Sequence, residues 1–172
     1  MTIIRRLSFA LFLTAITVTP AFAQSAERET SLLLGGGIMN YDLSGVDTKP
    51  AFTARVSHEL GANFVLEGGV TFAKPEQQFG PSTLIVPEVQ LQYHFPAGRF
   101  TPYLGAGLGI ARQSAEEIET DWSPAISFAG GTRVAINDRV GLFGELRVRG
   151  IEWDFAGSTT DILGGVVVRL GR

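Results

Sequence analysis

The chain has 172 residues, 45% of them hydrophobic, with no cysteine and a formal net charge of −3. These figures exclude a disulfide framework and thiolate chemistry, and the absence of a basic patch gives nucleic acid no footing. No run after Val18 reaches the roughly 18 apolar residues of a transmembrane helix, so the apolar content must be covered in another way.

Residues 1–23 read as a cleaved secretory signal peptide. Arg5 and Arg6 form a basic start, and Leu7 to Val18 an uncharged apolar run. That run is too short to cross a bilayer about 30 Å thick as a helix. Pro20-Ala21-Phe22-Ala23 ends in small-x-small, which places cleavage before Gln24. Residues 24–172 then form one domain. Without Arg5 and Arg6, 12 of the 14 Lys and Arg remain against 17 Asp and Glu, a formal net charge of −5. A chain of this size folds without a disulfide or metal staple.

Beyond the leader, apolar and polar residues alternate in repeated segments, the period of a strand with unlike faces. Eight strands are predicted, at Ser31–Tyr41, Ala51–Leu60, Phe64–Ala73, Thr83–Phe95, Phe100–Gln113, Ser123–Ile136, Val140–Trp153 and Asp161–Leu170. Most exceed the roughly five or six residues usual in globular proteins and suit a tilted membrane strand of about 9–11. Gly61-Ala62-Asn63, Pro96-Ala97-Gly98-Arg99 and Asn137-Asp138-Arg139 are tight turns. Asp42–Pro50, Lys74–Ser82, Ser114–Trp122 and Asp154–Thr160 are longer and polar. Short and long connections alternate strictly. An up-and-down outer-membrane barrel has this asymmetry, with short turns in the periplasm and longer loops outside. An even strand count puts both termini on the periplasmic side.

Parity within the segments fixes which face is which. Glu88, Gln90, Gln92 and His94 alternate with Val89, Leu91, Tyr93 and Phe95, and Glu145, Arg147 and Arg149 alternate with Leu142, Leu146 and Val148. Gly105, Gly107 and Gly109 share one face, and Leu104, Ala106, Leu108 and Ile110 the other. The apolar face carries the large groups, while the other carries glycine, alanine and ions. Eight strands enclose an interior only wide enough for side chains. Large groups outside and small or paired polar groups inside therefore predict a membrane barrel, whose closure leaves no edge for lipid to meet. The first strand, with Leu32-Leu33-Leu34-Gly35-Gly36-Gly37, does not declare its parity, and Asn40 is expected to point inward. Phe64, Tyr93, Phe95 and Phe100 cluster by the short turns. Phe52, Phe72, Phe79, Trp122, Trp153 and Phe155 cluster by the long loops, in two interfacial belts. Trp153 breaks the outward parity, which implies a bulge or an inward ring there.

Pro102-Tyr103-Leu104-Gly105-Ala106-Gly107-Leu108-Gly109 resembles the glycine-rich strand of small OmpA/OmpX-type outer-membrane β-barrels, and strand number and loop order match across residues 24–172. The resemblance implies an all-β fold in the cell outer membrane of a Gram-negative bacterium. It implies lipid and lipopolysaccharide as surroundings, and periplasmic chaperones and the barrel-assembly machinery as partners in biogenesis. Such barrels finish on an aromatic residue; this chain ends Val168-Arg169-Leu170-Gly171-Arg172.

Chemistry is sparse by comparison. Arg55, Glu67, Glu88, Arg133, Glu145, Arg147, Arg149 and Arg169 fall on the inward parity. Buried charges persist only when paired, so these eight are expected to form a structural ion-pair network in the lumen. Five arginines against three glutamates require a further carboxylate, for which Glu59 is a candidate, or bound anions and water. The alternative is a narrow or gated pore in which the same charges select ions. An acyl hydrolase would need Ser, His and an acid in register. Only His58 and His94 are available, and neither has a neighbouring inward Ser. A metal site would need closer ligands, so neither metal nor cofactor is expected. The glycine runs open no helix and precede no Gly-Lys-Ser/Thr, so they are packing features and not phosphate loops. The acidic loop Ser114–Asp121 carries Glu116, Glu117, Glu119 and Asp121. It reads as a solvated loop, with cation or partner binding as the alternative. The expected role is structural or interactive: membrane integrity, adhesion or ligand contact through external loops. A narrow ion or small-solute channel is the alternative, and a lipid-modifying enzyme comes third.

Overall fold

A computed structural model describes residues 28–41, 47–74, 76–77, 80–115, 118–152 and 154–171. The leader, Phe79, Glu116, Glu117 and Trp153 lie outside the described residues. The strands are β1 (Thr30–Tyr41), β2 (Asp47–Gly61), β3 (Phe64–Ala73), β4 (Glu76–Gln77), β5 (Gly80–His94), β6 (Phe100–Ala115), β7 (Ile118–Ala135), β8 (Val140–Ile151) and β9 (Asp154–Gly171). The two-residue β4 forms a small ribbon with the start of β5. The other eight are each hydrogen-bonded antiparallel to their chain neighbours, and β1 pairs with β9 from Thr30↔Gly171 to Tyr41↔Thr159. The sheet is therefore closed: an eight-stranded antiparallel up-and-down barrel in which each strand is paired on both sides.

The lateral rows follow from the register. Val89 on β5, Leu108 on β6 and Ile126 on β7 stand side by side. Large apolar groups on this row and its neighbours face out of the wall: Leu104, Leu108 and Phe128 are among the most exposed side chains. At the short-turn end Phe64 and Tyr93 meet edge to face at 5.2 Å, and Tyr93 and Phe95 at 4.8 Å. Together with exposed Phe100 they make one aromatic belt. Phe52 and Trp122 stand exposed toward the other end.

Turn chemistry explains the tight ends. Ala62 and Asn63 take positive φ of 51° and 67°, the combination that matches hairpin twist to strand twist. Asn137 Oδ1 accepts the backbone N–H groups of Arg139 and Val140, closing a side-chain turn. The long-loop end differs from the expectation. Much of what reads as loop is strand: β2 begins at Asp47, β7 at Ile118 and β9 at Asp154. The ladder needs only backbone partners, so polar side chains do not end it. Length asymmetry between the ends survives as protruding hairpins.

The parity of β1 corrects one expectation. Ser31, Leu33 and Met39 are the buried side chains of β1, and Leu34 and Ile38 are exposed. Asn40 therefore shares the outward register with Ile38, and Met39 takes the inward place. The reason is an apolar patch of the inner wall, which receives Met39. Ala51 pairs with Ala73 and Ala73 with Leu84 across β2, β3 and β5. These three join Met39, Val86 and Ala111 in a buried cluster.

Candidate functional site: the lumen and its mouth

Inward parity on five strands brings the charged side chains together. Arg55 comes from β2, Glu67 from β3, Glu88 from β5, Arg133 from β7, and Glu145, Arg147 and Arg149 from β8. Arg55 Nη1 lies 3.2 Å from Glu67 and 3.0 Å from Glu145. Arg133 Nη2 lies 3.0 Å from Glu67 Oε2. Arg147 reaches Glu145 at 3.0 Å and Glu67 at 3.5 Å and also pairs with Glu88. Arg149 Nε donates to Glu88 Oε2 at 2.8 Å. Neutral polar groups complete the shell. Tyr103 donates its hydroxyl to Glu145 at 2.7 Å, and Gln90, Thr53 and Thr71 accept from Arg147, Arg55 and Arg149.

Arg169 is not a member of this set. It lies on the inward register at the mouth, 2.7 Å from Glu29, with a third of its side chain exposed. Its Nη1 donates to the backbone carbonyls of Asn137 and Asp138. Glu59 is exposed and supplies nothing to the lumen. The eighth charge is Asp161, wholly buried and 2.5 Å from Arg149 Nη1. Among the described residues the lumen thus holds Arg55, Arg133, Arg147 and Arg149 against Glu67, Glu88, Glu145 and Asp161, and the charges balance. Asp161 lies an even number of positions from Arg169 on the same strand. Extending that parity back beyond Leu163 would have found it. Its position beside Thr159 and Thr160 made it read as the edge of a loop.

The glycine face of β6 makes room for this packing. A Cβ at Gly105 would sit 2.9 Å from Gln92 Cγ, and one at Gly107 2.8 Å from Ser127 Oγ. At Gly131 a Cβ would meet Tyr103 Oη at 2.7 Å and the Gly144 carbonyl at 2.5 Å. Gly131→Ala must push on the tyrosine that holds Glu145. It is expected to destabilise the barrel by about 1–3 kcal/mol, read as a lowered urea midpoint in detergent or lipid.

The two histidines lie on opposite faces of the wall. His94 is buried, shares a hydrogen bond of 2.9 Å with Gln92 Oε1, and stacks on Tyr103 at 5.4 Å. His58 faces outward on β2 and lies 2.9 Å from Thr30 Oγ1. Among the described residues, no group of three or more His, Cys, Asp or Glu could hold a metal ion. Beyond Arg133 and His94 the short-turn end opens into a cup of about 140 Å³. Toward the opposite end Met39, Leu84, Val86 and three alanines belong to a buried apolar cluster.

The model of the outer membrane protein beta-barrel domain matches residues 8–169. Among solved structures, Neisserial surface protein A is similar over 84% of this chain and 98% of its own, with a TM-score of 0.67 at 15% identity. The N-terminal β-barrel domain of Pseudomonas aeruginosa OprF has a TM-score of 0.59 at 13% identity, over 83% of this chain and 97% of that one. A major outer membrane protein of Thermus thermophilus has a TM-score of 0.53 at 12% identity, over 84% and 100%. At these identities the likeness is one of fold. No curated protein matches the chain in sequence.

Proposed function

The chain belongs to the outer membrane protein beta-barrel domain family, and on that premise we propose that it is a filled, non-conducting barrel that strengthens the outer membrane and presents its hairpins for adhesion or ligand contact. In this reading residues 1–23 are the cleaved signal peptide and residues 24–172 the barrel. Both termini and the short turns lie in the periplasm, and the protruding hairpins face outward. Periplasmic chaperones and the barrel-assembly machinery deliver the barrel to a membrane of lipid and lipopolysaccharide.

One observation carries the reading. Four arginines and four carboxylates pair across the lumen, and apolar side chains gather toward its long-loop end. Arg149 and Asp161 are 0% exposed, and Arg147 and Glu67 2%. A pore would need a continuous hydrated path, and the paired, desolvated side chains of Arg149 and Asp161 beside buried Met39 interrupt it. Breaking buried pairs is costly when one partner is left behind, so the charges act as a structural plug. Purified protein reconstituted in planar bilayers is expected to stay silent at all applied voltages. Discrete, reproducible conductance steps would replace this reading with that of a narrow channel.

A further inference from the structure

The short-turn mouth is an open cup with charged groups in its lining. Its cup is lined by residues of seven of the barrel strands and by Arg99 of a tight turn. Three guanidiniums, Arg99, Arg133 and Arg169, share it with two carboxylates, Glu29 and Glu59. The balance is uneven in detail. Glu29 is already committed, accepting from Ser31 at 3.2 Å and pairing with Arg169.

Arg133 is the key residue. Each of the other three lumen arginines contacts at least two carboxylates. Arg133 contacts Glu67 alone, and Glu67 is shared with Arg55 and Arg147. Its Nη1 and Nη2 are occupied by Ser57, Glu67 and Gln92, while its buried Nε has no partner. It is also the most exposed of the four, 15% of the side chain being open on the cup side. The floor of the cup is therefore an under-compensated guanidinium, flanked by His94 and overlooked by Arg99 at the rim. Arginine's planar set of donors is suited to a carboxylate or a phosphate.

We infer that this cup is a binding site for a single carboxylate group, held on Arg133 with Arg99 at the rim. Charge selects carboxylate over phosphate. Glu67, the one carboxylate on Arg133, is shared with Arg55 and Arg147, so Arg133 has at most one positive charge to offer a ligand, which a monoanion cancels and a phosphate dianion overshoots. Glu59, exposed at the rim, opposes that second negative charge. The ligand class is a small organic acid or a peptide with a free C-terminal carboxylate, a group that proteins commonly capture with clustered donors. The proposed orientation places the site in the periplasm. Carboxylate binding itself does not depend on orientation or on conductance: a barrel that conducts yet binds acetate would lose the reading above and keep this one.

The test is a titration of ¹⁵N-labelled protein in micelles at constant ionic strength, following the arginine Nε–H resonances. Sodium acetate and a short peptide with a free C-terminus should each shift the Arg133 resonance saturably. The amidated peptide and sodium chloride should not, and phosphate should half-saturate at higher concentration than acetate. Arg99→Gln, on an exposed turn outside the lumen network, is expected to weaken acetate binding about tenfold, the loss of one charge-assisted hydrogen bond. Arg133→Gln should abolish the saturable response while keeping the heat-modifiable migration of a folded barrel. Glu59→Gln should narrow the gap between acetate and phosphate. Should Arg133→Gln fail to fold, the acid–amide comparison on the unaltered protein and Arg99→Gln decide the matter. A response that is absent, unsaturable, or the same for acetate, phosphate and chloride overturns the site. So does equal binding of the acid and amide peptides, or of acetate to the Arg99→Gln and unaltered proteins.

Discussion

Glu145→Gln is expected to destabilise the barrel by about 3–5 kcal/mol, the cost of leaving a buried charge without its partner. Glu145 sits at the centre of the plug. Arg55 lies 3.0 Å away, Arg147 Nε donates to it at 3.0 Å, and Tyr103 donates its hydroxyl at 2.7 Å. Removing its charge leaves four guanidiniums facing three carboxylates where water cannot screen them. Glu145→Gln combined with Arg55→Met restores three against three. Glu67, the other partner of Arg55, still keeps Arg133 and Arg147. The double variant is therefore expected to be more stable than the sum of the two single losses by about 0.5–3 kcal/mol, the usual range for coupled neighbours. Urea unfolding of all four proteins in the same lipid or detergent gives the cycle. Strict additivity would mean that the two residues do not act through each other, and the plug would lose its electrostatic basis.

Most of this architecture was readable in the chain because a wall one residue thick must alternate. Glu88 to Phe95 and Leu142 to Arg149 show the period without ambiguity, and the tight turns name themselves through Asn137 and Gly61-Ala62-Asn63. What could not be read were the places where the two environments stop differing. Leu33 is as apolar as Leu32 and Leu34, yet it packs inside with Phe143 and Val167. Leu84 and Val86 carry the inward parity of Glu88 and are buried like it. A filled lumen has no water to keep out, so apolar inward groups are as acceptable as paired ions. The rule that polar residues face in therefore fails for Met39 and Asn40. Asp161 escaped for the opposite reason: its surroundings of Thr159 and Thr160 resemble a loop. Asp161 is the first residue of the predicted strand, and only the pairing of β9 with β1 and β8 shows that the strand already runs before it. The surplus of arginine was legible, but its resolution was not. Parity says that a residue points inward, not how far along the axis it lies, and depth is what separates Arg169 at the mouth from Arg149 in the middle.

Depth also governs the outer face. Leu108 is exposed and stands midway along β6, in one lateral row with Val89 and Ile126. If that row lies at the level of the acyl chains, Leu108→Arg and Val89→Arg should each destabilise the folded barrel by about 2–4 kcal/mol, the cost of a cation at the bilayer midplane. Leu60, at the short-turn end of β2, carries the same outward parity. There an arginine can reach the headgroups, and Leu60→Arg should cost only about 0–1 kcal/mol. The comparison isolates lipid as the cause, because a merely crowded surface would penalise the three positions alike. A soluble barrel with a hydrated outer wall would penalise none of them. Reversible unfolding of the three variants in one phospholipid reads the difference directly. Near-neutral values at Leu108 and Val89 would mean that this face does not meet acyl chains, and the inside-out arrangement on which the plug and its mouth both depend would have to be reversed.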